Sequence, residues 1–146
     1  MGAALTASAT QAIRLELEEL NAAFAYHLDH NDIAALTDLF AVDALYTNGD
    51  RISRGRAEIE QLFRNRTAQG PRTSRHLYSG LRLSIESLSS AGGWSVCMSF
   101  AANGLPPLPA KPFLVADFED RYQLDADGSW RFAERHIHPI FVGDKS

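Results

Sequence analysis

The spacing of apolar residues in this chain changes once, near Thr73, from a helical period to a strand period. Upstream of that point, apolar side chains recur every three or four residues, as on one face of an α-helix. Downstream they alternate with polar side chains, as on a strand with one buried face. A chain of 146 residues with one such change is expected to form a single α+β domain, 1–146, with a core over about 10–142.

The helical part of the sequence contains three predicted helices. The first ends at Asp29, and a third is predicted over Ala57–Arg66. Asp32 is expected to cap the second helix. The main apolar stripe of the first helix comprises Ile13, Leu17, Leu20, Phe24 and Leu28. A second stripe, which would make this helix apolar on two sides, comprises Leu15, Ala22, Tyr26 and Asp29. The second helix is expected to bury Ile33, Leu36, Leu39 and Phe40.

The stranded part predicts a meander of long antiparallel strands. A short strand, Ala44–Asn48, comes before the third helix, and residues 91–93 are expected to form a turn between the first two long strands. The predicted long strands are Arg75–Leu88, Trp94–Asn103, Phe113–Leu124 and Trp130–Phe141. Three helices packed on such a strongly curved, mainly antiparallel sheet make an α+β cone, and a cone closed at one end has a cavity at the other.

Charge and cysteine content exclude several classes of function. Fourteen Lys and Arg against 18 Asp and Glu give a net charge of −4, and no basic stretch exists that could bind nucleic acid. Cys97 is the only cysteine, so a disulfide framework, a thiolate zinc site and an iron–sulfur cluster are excluded. No apolar run approaches the roughly 20 residues that span a membrane. Residues 1–10 lack the pattern of a secretory signal, so we expect a cytoplasmic protein. The sequence has no cofactor or metal motif, so we expect neither a cofactor nor a metal.

Three polar residues lie where a cavity would need them. Asp29 lies at the end of the first helix, His76 at the start of the first long strand, and Arg135 on the last strand. A carboxylate that accepts from one imidazole nitrogen leaves the other as a general base. The same residues also have structural interpretations: His76 as a satisfied strand residue, Asp29 as a helix end, and Arg135 paired with Glu119 or Asp120 on the neighbouring strand.

Five segments, in this order and spacing, resemble the SnoaL-like branch of the nuclear transport factor 2-like superfamily. They are Ala25–Asp32, Leu39–Tyr46, Arg54–Ile59, Arg75–Leu77 and Gly128–Arg135. The resemblance covers about residues 10–142, nearly the whole chain. It implies a cone-shaped α+β barrel that forms a homodimer or homotrimer. Proteins similar to this branch include dehydratases, dehydrochlorinases and small subunits of aromatic-ring dioxygenases.

The resemblance also implies roles for individual residues. His76 would be the general base and Asp29 its orienting partner, while Arg135 and Tyr46 would anchor the substrate and Tyr26 would be a further donor. The apolar wall of the cavity would comprise Phe24, Met98, Phe118 and Phe141. The expected function is that of a cofactor-independent lyase or isomerase, similar to a dehydratase, dehydrohalogenase or cyclase, acting on a small hydrophobic cyclic or aromatic substrate.

Two other interpretations stay open at this point. The chain would be a ligand-binding module without turnover, or an accessory subunit like those of the dioxygenases, if the cavity binds but does not catalyse. It would be a purely structural domain if the polar residues were satisfied inside a closed core.

Overall fold

The computed structural model describes residues 4–143, which include the predicted core; residues 1–3 and 144–146 of the predicted domain lie outside the described range. Three helices come first in the chain, interrupted by two strands, and four long strands follow. The helices are α1 (Ala7–Asp29), α2 (Ile33–Thr37) and α3 (Gly55–Asn65). The strands are β1 (Phe40–Asn48), β2 (Arg51–Arg54), β3 (Arg72–Ile85), β4 (Ser90–Asn103), β5 (Leu114–Leu124) and β6 (Trp130–Val142).

The six strands form one curved sheet with the order β2-β1-β6-β5-β4-β3. All neighbours are antiparallel except β1 and β6, which run parallel. The sheet stays open, because β2 and β3 are edge strands that do not pair with each other. The prediction of three helices on a strongly curved, mainly antiparallel sheet is therefore confirmed. The sequence pattern missed the short strand β2 and the first four residues of β1.

The closed end of the molecule is a cluster of aromatic side chains around Phe24. The Phe24 ring meets those of Phe40, Phe63, Phe118 and Phe132 edge to face, with centroids 5.9–6.4 Å apart. Such pairs contribute about 0.5–1.5 kcal/mol each beyond the apolar area they bury. The cluster joins α1, α3 and three strands, and so fixes the position of α1 over the sheet.

Two predictions about the helices are corrected by the structure. The main stripe of α1 is buried as predicted, but much of the second stripe is not, since Leu15 is 65% exposed and Tyr26 is 61% exposed. Its last member, Asp29, instead turns its side chain toward β3. One face of α1 contacts the sheet and no further layer of described residues covers the other. The second helix ends at Thr37, so Phe40 begins β1 and is buried as a strand residue. Asp32 caps α2 as predicted and accepts from the Ala35 amide at 3.2 Å.

Residues 91–93 lie inside β4 and do not form the predicted turn. The connection between β3 and β4 comes earlier, at residues 86–89. The glycines have a packing role instead: a Cβ on Gly93 would lie 2.7 Å from the Oη of Tyr122 on the neighbouring strand. A glycine within a strand often marks such a close approach.

Strand β4 presents its small side chains to the interior and its large ones to the outside. Ser95, Cys97 and Ser99 are buried, whereas Trp94 and Met98 are more than a third exposed on the outer face. An apolar outer face agrees with the expected homo-oligomer, which stays a prediction that light scattering would test. No helix among the described residues is long and apolar enough to span a membrane.

Candidate active site

A cavity of about 640 Å³ lies between the helices and the inner face of the sheet, and the aromatic cluster around Phe24 forms part of its wall. Small side chains create the space, since Cys97, Ser99, Ala101 and Ala116 occupy inward positions on β4 and β5. Further residues of the wall are Phe24, Leu28, Tyr46, Phe63, His76, Phe118 and Ile137. The volume lies within the range of small-molecule sites, about 300–1,000 Å³.

His76 and Asp29 form a hydrogen-bonded pair at the cavity wall. The Nδ1 of His76 lies 2.6 Å from Oδ1 of Asp29, and the backbone amide of His76 donates to Oδ2 at 2.9 Å. The Ser74 hydroxyl donates to Oδ1 at 2.9 Å. Both side chains are largely buried, with exposed fractions of 14% and 7%. Because Asp29 holds Nδ1, the Nε2 atom is the ring nitrogen left for a ligand.

Local structure explains how residues 47 positions apart in sequence come together. Asp29 is the last residue of α1, and Asn31, with φ of +55°, ends the helix in the left-handed region that asparagine tolerates. The Asn31 side chain donates to the Arg72 carbonyl, which ties the end of α1 to the start of β3. Since β3 pairs only with β4, the His76 amide on its free side can donate to Asp29.

The environment of Asp29 favours its ionised form. Burial alone would raise the pKa of the carboxyl, but hydrogen bonds from the His76 side chain and amide and from Ser74 lower it below its ordinary value. A carboxylate at the C-terminal end of a helix is also opposed by the helix dipole. Three donors thus stabilise a charge that its own helix disfavours, which is a typical arrangement for a functional carboxylate.

Tyr46 contributes a neutral phenol to the cavity wall. The residue lies on β1 and is 5% exposed. Burial raises the pKa of Tyr46 to about 12, with the charges of Arg135 and Arg66 acting in the opposite direction. The hydroxyl therefore keeps its proton at neutral pH and can donate a hydrogen bond to a ligand oxygen or halide.

Arg135 lies in the core behind the cavity wall, so the expectation that it faces a substrate is wrong. Its Nε donates to Oδ1 of Asp120 at 3.0 Å and its Nη2 to Oδ1 of Asn21 at 2.7 Å. The guanidinium stacks 4.4–4.5 Å from the rings of Phe24 and Phe118, which separate it from the cavity. The alternative prediction, that Arg135 pairs with Asp120 on the neighbouring strand, is confirmed. Burial raises the pKa of Asp120, while Arg135 opposes the shift.

Two of the four predicted wall residues line the cavity and two do not. Phe24 and Phe118 belong to the wall. Met98 points to the outer face of β4, opposite the small residues of the interior. Phe141 is 69% exposed, because a bulge shifts the β5–β6 register between Val115 and Ala116 and reverses the face that follows.

Tyr26, predicted as a further donor, lies outside the cavity. It is on the solvent face of α1 and stacks on the His30 ring with centroids 4.1 Å apart. The expectation that Tyr26 reaches a substrate, which came with the family resemblance, is therefore wrong. Tyr46 is the predicted tyrosine that reaches the cavity.

Sequence reasoning missed three arginines that line the cavity: Arg51, Arg66 and Arg72. A signal for Arg66 exists in the sequence, since Ile59, Phe63 and Arg66 fall at i, i+4 and i+7. That spacing puts Arg66 on the buried face of α3, at its C-terminal end.

The remaining chemistry of the described residues is limited. Cys97 lines the cavity, but burial raises the pKa of its thiol to about 11, so it is not a thiolate nucleophile at neutral pH. Among residues 4–143, no three His, Cys, Asp or Glu side chains are grouped as metal ligands.

The fold and site define a class of α+β proteins, in which a curved sheet and its helices enclose a cavity with a histidine–carboxylate pair. Residues 9–136 match the SnoaL-like domain, so the chain belongs to this family. The resemblance stated from the sequence is thereby confirmed. No curated protein matches the sequence.

Solved structures share the fold over nearly the whole chain. A Novosphingobium aromaticivorans protein provisionally named scytalone dehydratase has a TM-score of 0.82 at 19% identity, covering 97% of this chain and 93% of that one. A type 2 hexachlorocyclohexane dehydrochlorinase has a TM-score of 0.78 at 16% identity, covering 97% and 94%. The β subunit of a provisionally assigned aromatic-ring-hydroxylating dioxygenase from N. aromaticivorans has a TM-score of 0.77 at 15% identity, covering 92% of this chain and 93% of that one. Such identities establish the fold alone.

Proposed function

We propose that this protein is a cofactor-independent lyase or isomerase for a small hydrophobic cyclic or aromatic substrate, with His76 as its general base. The observation that carries the proposal is the 2.6 Å contact between Nδ1 of His76 and Asp29 at the wall of a cavity. A buried carboxylate in this position fixes the tautomer that leaves Nε2 unprotonated, and it stabilises the imidazolium formed after proton transfer.

The proposed reaction begins with transfer of a proton from a substrate carbon to Nε2 of His76. The electron pair of the broken C–H bond forms a new double bond. In an elimination, a hydroxyl or halide then leaves from the adjacent carbon with its own electron pair. In an isomerisation, the imidazolium returns the proton to a different carbon. Tyr46, whose phenol stays protonated, would donate to the oxygen or halide on which negative charge develops.

Exchange of substrate hydrogen for deuterium tests this proposal even when the product has not been identified. A panel of small cyclic and aromatic ketones, alcohols and halides is incubated with the protein in D2O, and loss of C–H signals is followed by NMR. Positioned general-base catalysis contributes about 10²–10⁴-fold, so H76Q should slow exchange or turnover by that factor.

The matched control for H76Q is H138Q, since His138 is exposed on β6. This variant should exchange at the wild-type rate. Equal rates for H76Q and the wild type would overturn the assignment of His76 as base.

A second candidate is a binding module or accessory subunit without turnover. It is favoured by the likeness to the dioxygenase β subunit, a protein whose name implies a larger assembly. In this case a cavity ligand would be recovered chemically unchanged after long incubation, and H76Q would bind it as the wild type does. A stable homo-oligomer would argue against the accessory-subunit version.

A further inference from the structure

Three arginines line the cavity, and among the described residues none of them is within ion-pair distance of a carboxylate. Arg66 follows α3, Arg72 begins β3 and Arg51 begins β2. Within residues 4–143, none of the three forms an ion pair, and no Asp or Glu belongs to the described lining. The cavity wall is therefore cationic, although the whole chain has a net charge of −4. A site lined by one sign of charge raises the local concentration of ligands of the opposite sign.

Arg66 is the least satisfied of these cations. Its Nη1 is buried and has no hydrogen-bond partner among the described residues, and its Nη2 makes only a long contact of 3.4 Å to the Ser74 hydroxyl. Burial, and then the nearby charge of Arg72, lower the pKa of the Arg66 guanidinium, while Tyr46 and Asp29 act in the opposite direction. Leaving a buried charged donor unpaired costs free energy, and an anion that accepts from the Arg66 guanidinium would reduce that cost.

The Arg66 guanidinium lies beside the His76–Asp29 pair. Ser74 connects them, since its hydroxyl accepts from Arg66 and donates to Asp29 at 2.9 Å. Much of the remaining wall is apolar and includes Phe63 and Ile137. A ligand that satisfies both surfaces has one anionic group and an apolar body, and it places a carbon of that body near His76.

The geometry points to a small cyclic or aromatic carboxylic acid as the substrate, with its carboxylate bound by Arg66. This inference deepens the proposed function by naming the substrate class of the same cavity. A carboxylate brings two oxygens and one charge, which a single guanidinium fork can satisfy, whereas a phosphate monoester brings three oxygens and a second charge. Arg66 is favoured over the other two arginines of the wall, because Nη1 of Arg72 donates to Asn103 at 3.1 Å and its guanidinium lies over the Phe113 ring, while Arg51 is exposed.

Dissociation constants of matched probes test the inference. Benzoate, the neutral benzamide and the tetrahedral anion phenyl phosphate are titrated into the full chain in low-salt buffer at pH 7 and followed by NMR. Hydrogen bonds to charged groups favour benzoate over benzamide by about 10–100-fold. R66Q should raise the Kd of benzoate by the same factor and leave that of benzamide unchanged.

Two further variants complete the experiment. R64Q is the matched control, because Arg64 precedes Arg66 on α3, is exposed and pairs with Glu60 at 2.7 Å; it should retain the wild-type preference. R66K keeps the charge but loses the fork, so it should weaken benzoate binding less than R66Q does. If thermal unfolding shows that R66Q does not fold, the inference is tested with R66K instead. An unchanged benzoate Kd in R66K would then overturn it.

Other outcomes also contradict the carboxylate assignment. They are equal wild-type affinities for benzoate and benzamide, no binding of either probe, tighter binding of phenyl phosphate, or an unchanged benzoate Kd in R66Q. The H76Q variant separates this inference from the proposed function. A benzoate preference that persists in H76Q, together with unchanged turnover, would refute His76 as base while supporting Arg66 as the carboxylate anchor.

Discussion

Two arginines of the interior, the buried Arg135 and the half-buried Arg66, differ in how their charges are balanced. Arg135 is 2% exposed, stacks on aromatic rings and pairs with Asp120 at 3.0 Å. Asn21 accepts from Nη2 of Arg135 and Tyr122 donates to Asp120, while Nη1 of Arg135 is buried without a hydrogen-bond partner among the described residues. Arg66 lies at the cavity end, and within the described residues its charge has no carboxylate partner.

This difference indicates that the charge of Arg135 serves the fold, whereas the charge of Arg66 serves a ligand. A charge matched inside the chain holds neighbouring strands in register and has little left to offer a ligand. A charge left unmatched at a cavity lowers the stability of the empty protein, and a ligand can restore that free energy as affinity. Arg135 should therefore be important for stability, and Arg66 for binding.

Removing the partner of Arg135 should produce the largest loss of stability. The D120N variant leaves the guanidinium among Phe24, Phe118 and Phe132 without a counter-charge. Breaking a buried ion pair by removing one partner costs about 3–5 kcal/mol. Urea unfolding followed by circular dichroism measures the change, and a loss below about 1 kcal/mol would show that the pair does not stabilise the closed end.

A methyl group added on β4 beside Tyr122, which donates to Asp120, should lower the free energy of unfolding by less than D120N does. In G93A the new methyl group would meet the Tyr122 ring, whose Oη accepts from Asn21 at 3.0 Å and donates to Asp120 at 2.9 Å. Overpacking a filled interior costs about 1–3 kcal/mol. The matched control is G128A, because a Cβ at Gly128 meets no atom within 4 Å, although its φ of +85° adds strain of its own. A G93A variant that is as stable as the wild type would show that Tyr122 can move.

The sequence predicts the elements of this fold better than their orientation. The stripe from Ile13 to Leu28 sets the buried face of α1, because one face of a helix must cover the sheet. Alternating residues along β4 predict a strand. Because both faces of that strand have hydrophobic residues, the pattern does not indicate which face is buried. The bulge that turns Phe141 outward depends on pairing with β5, which a single strand does not reveal.

The candidate site shows the same division. Family resemblance assigned His76 and Asp29 as a pair, and strand pairing offered Asp120 as the partner of Arg135. Neither argument reaches Arg66, because its position depends on how the end of α3 meets the start of β3. Helical spacing marks Arg66 as inward, but only the assembled cavity shows that its charge is unmatched.

Asp29 is paired within the chain, as Arg135 is, but it also lies at the cavity, as Arg66 does. Substitution of Asp29 should therefore lower the free energy of unfolding by an intermediate amount that depends on pH. The folded protein lowers the pKa of Asp29, so the carboxylate stabilises the fold above the unfolded pKa of about 3.9. That stabilisation is lost as pH falls through the lower folded pKa. D29N should therefore cost about 1–2 kcal/mol at pH 7, from weakened charge-assisted hydrogen bonds. Urea unfolding from pH 7 to pH 3 should show the gap narrowing below about pH 4, and a gap that is constant with pH would contradict the assignment.

Removing the unmatched arginine should change stability least. R66L deletes a guanidinium that lacks a carboxylate partner within the described residues and is repelled by Arg72. The lost packing of its aliphatic stem is offset by relief of that repulsion, so the free energy of unfolding should stay within about 1 kcal/mol of the wild type. Urea unfolding beside D120N measures both arginines on one scale. A loss in R66L as large as that in D120N would mean that Arg66 is a structural cation, and the contrast between the two ends of the molecule would fail.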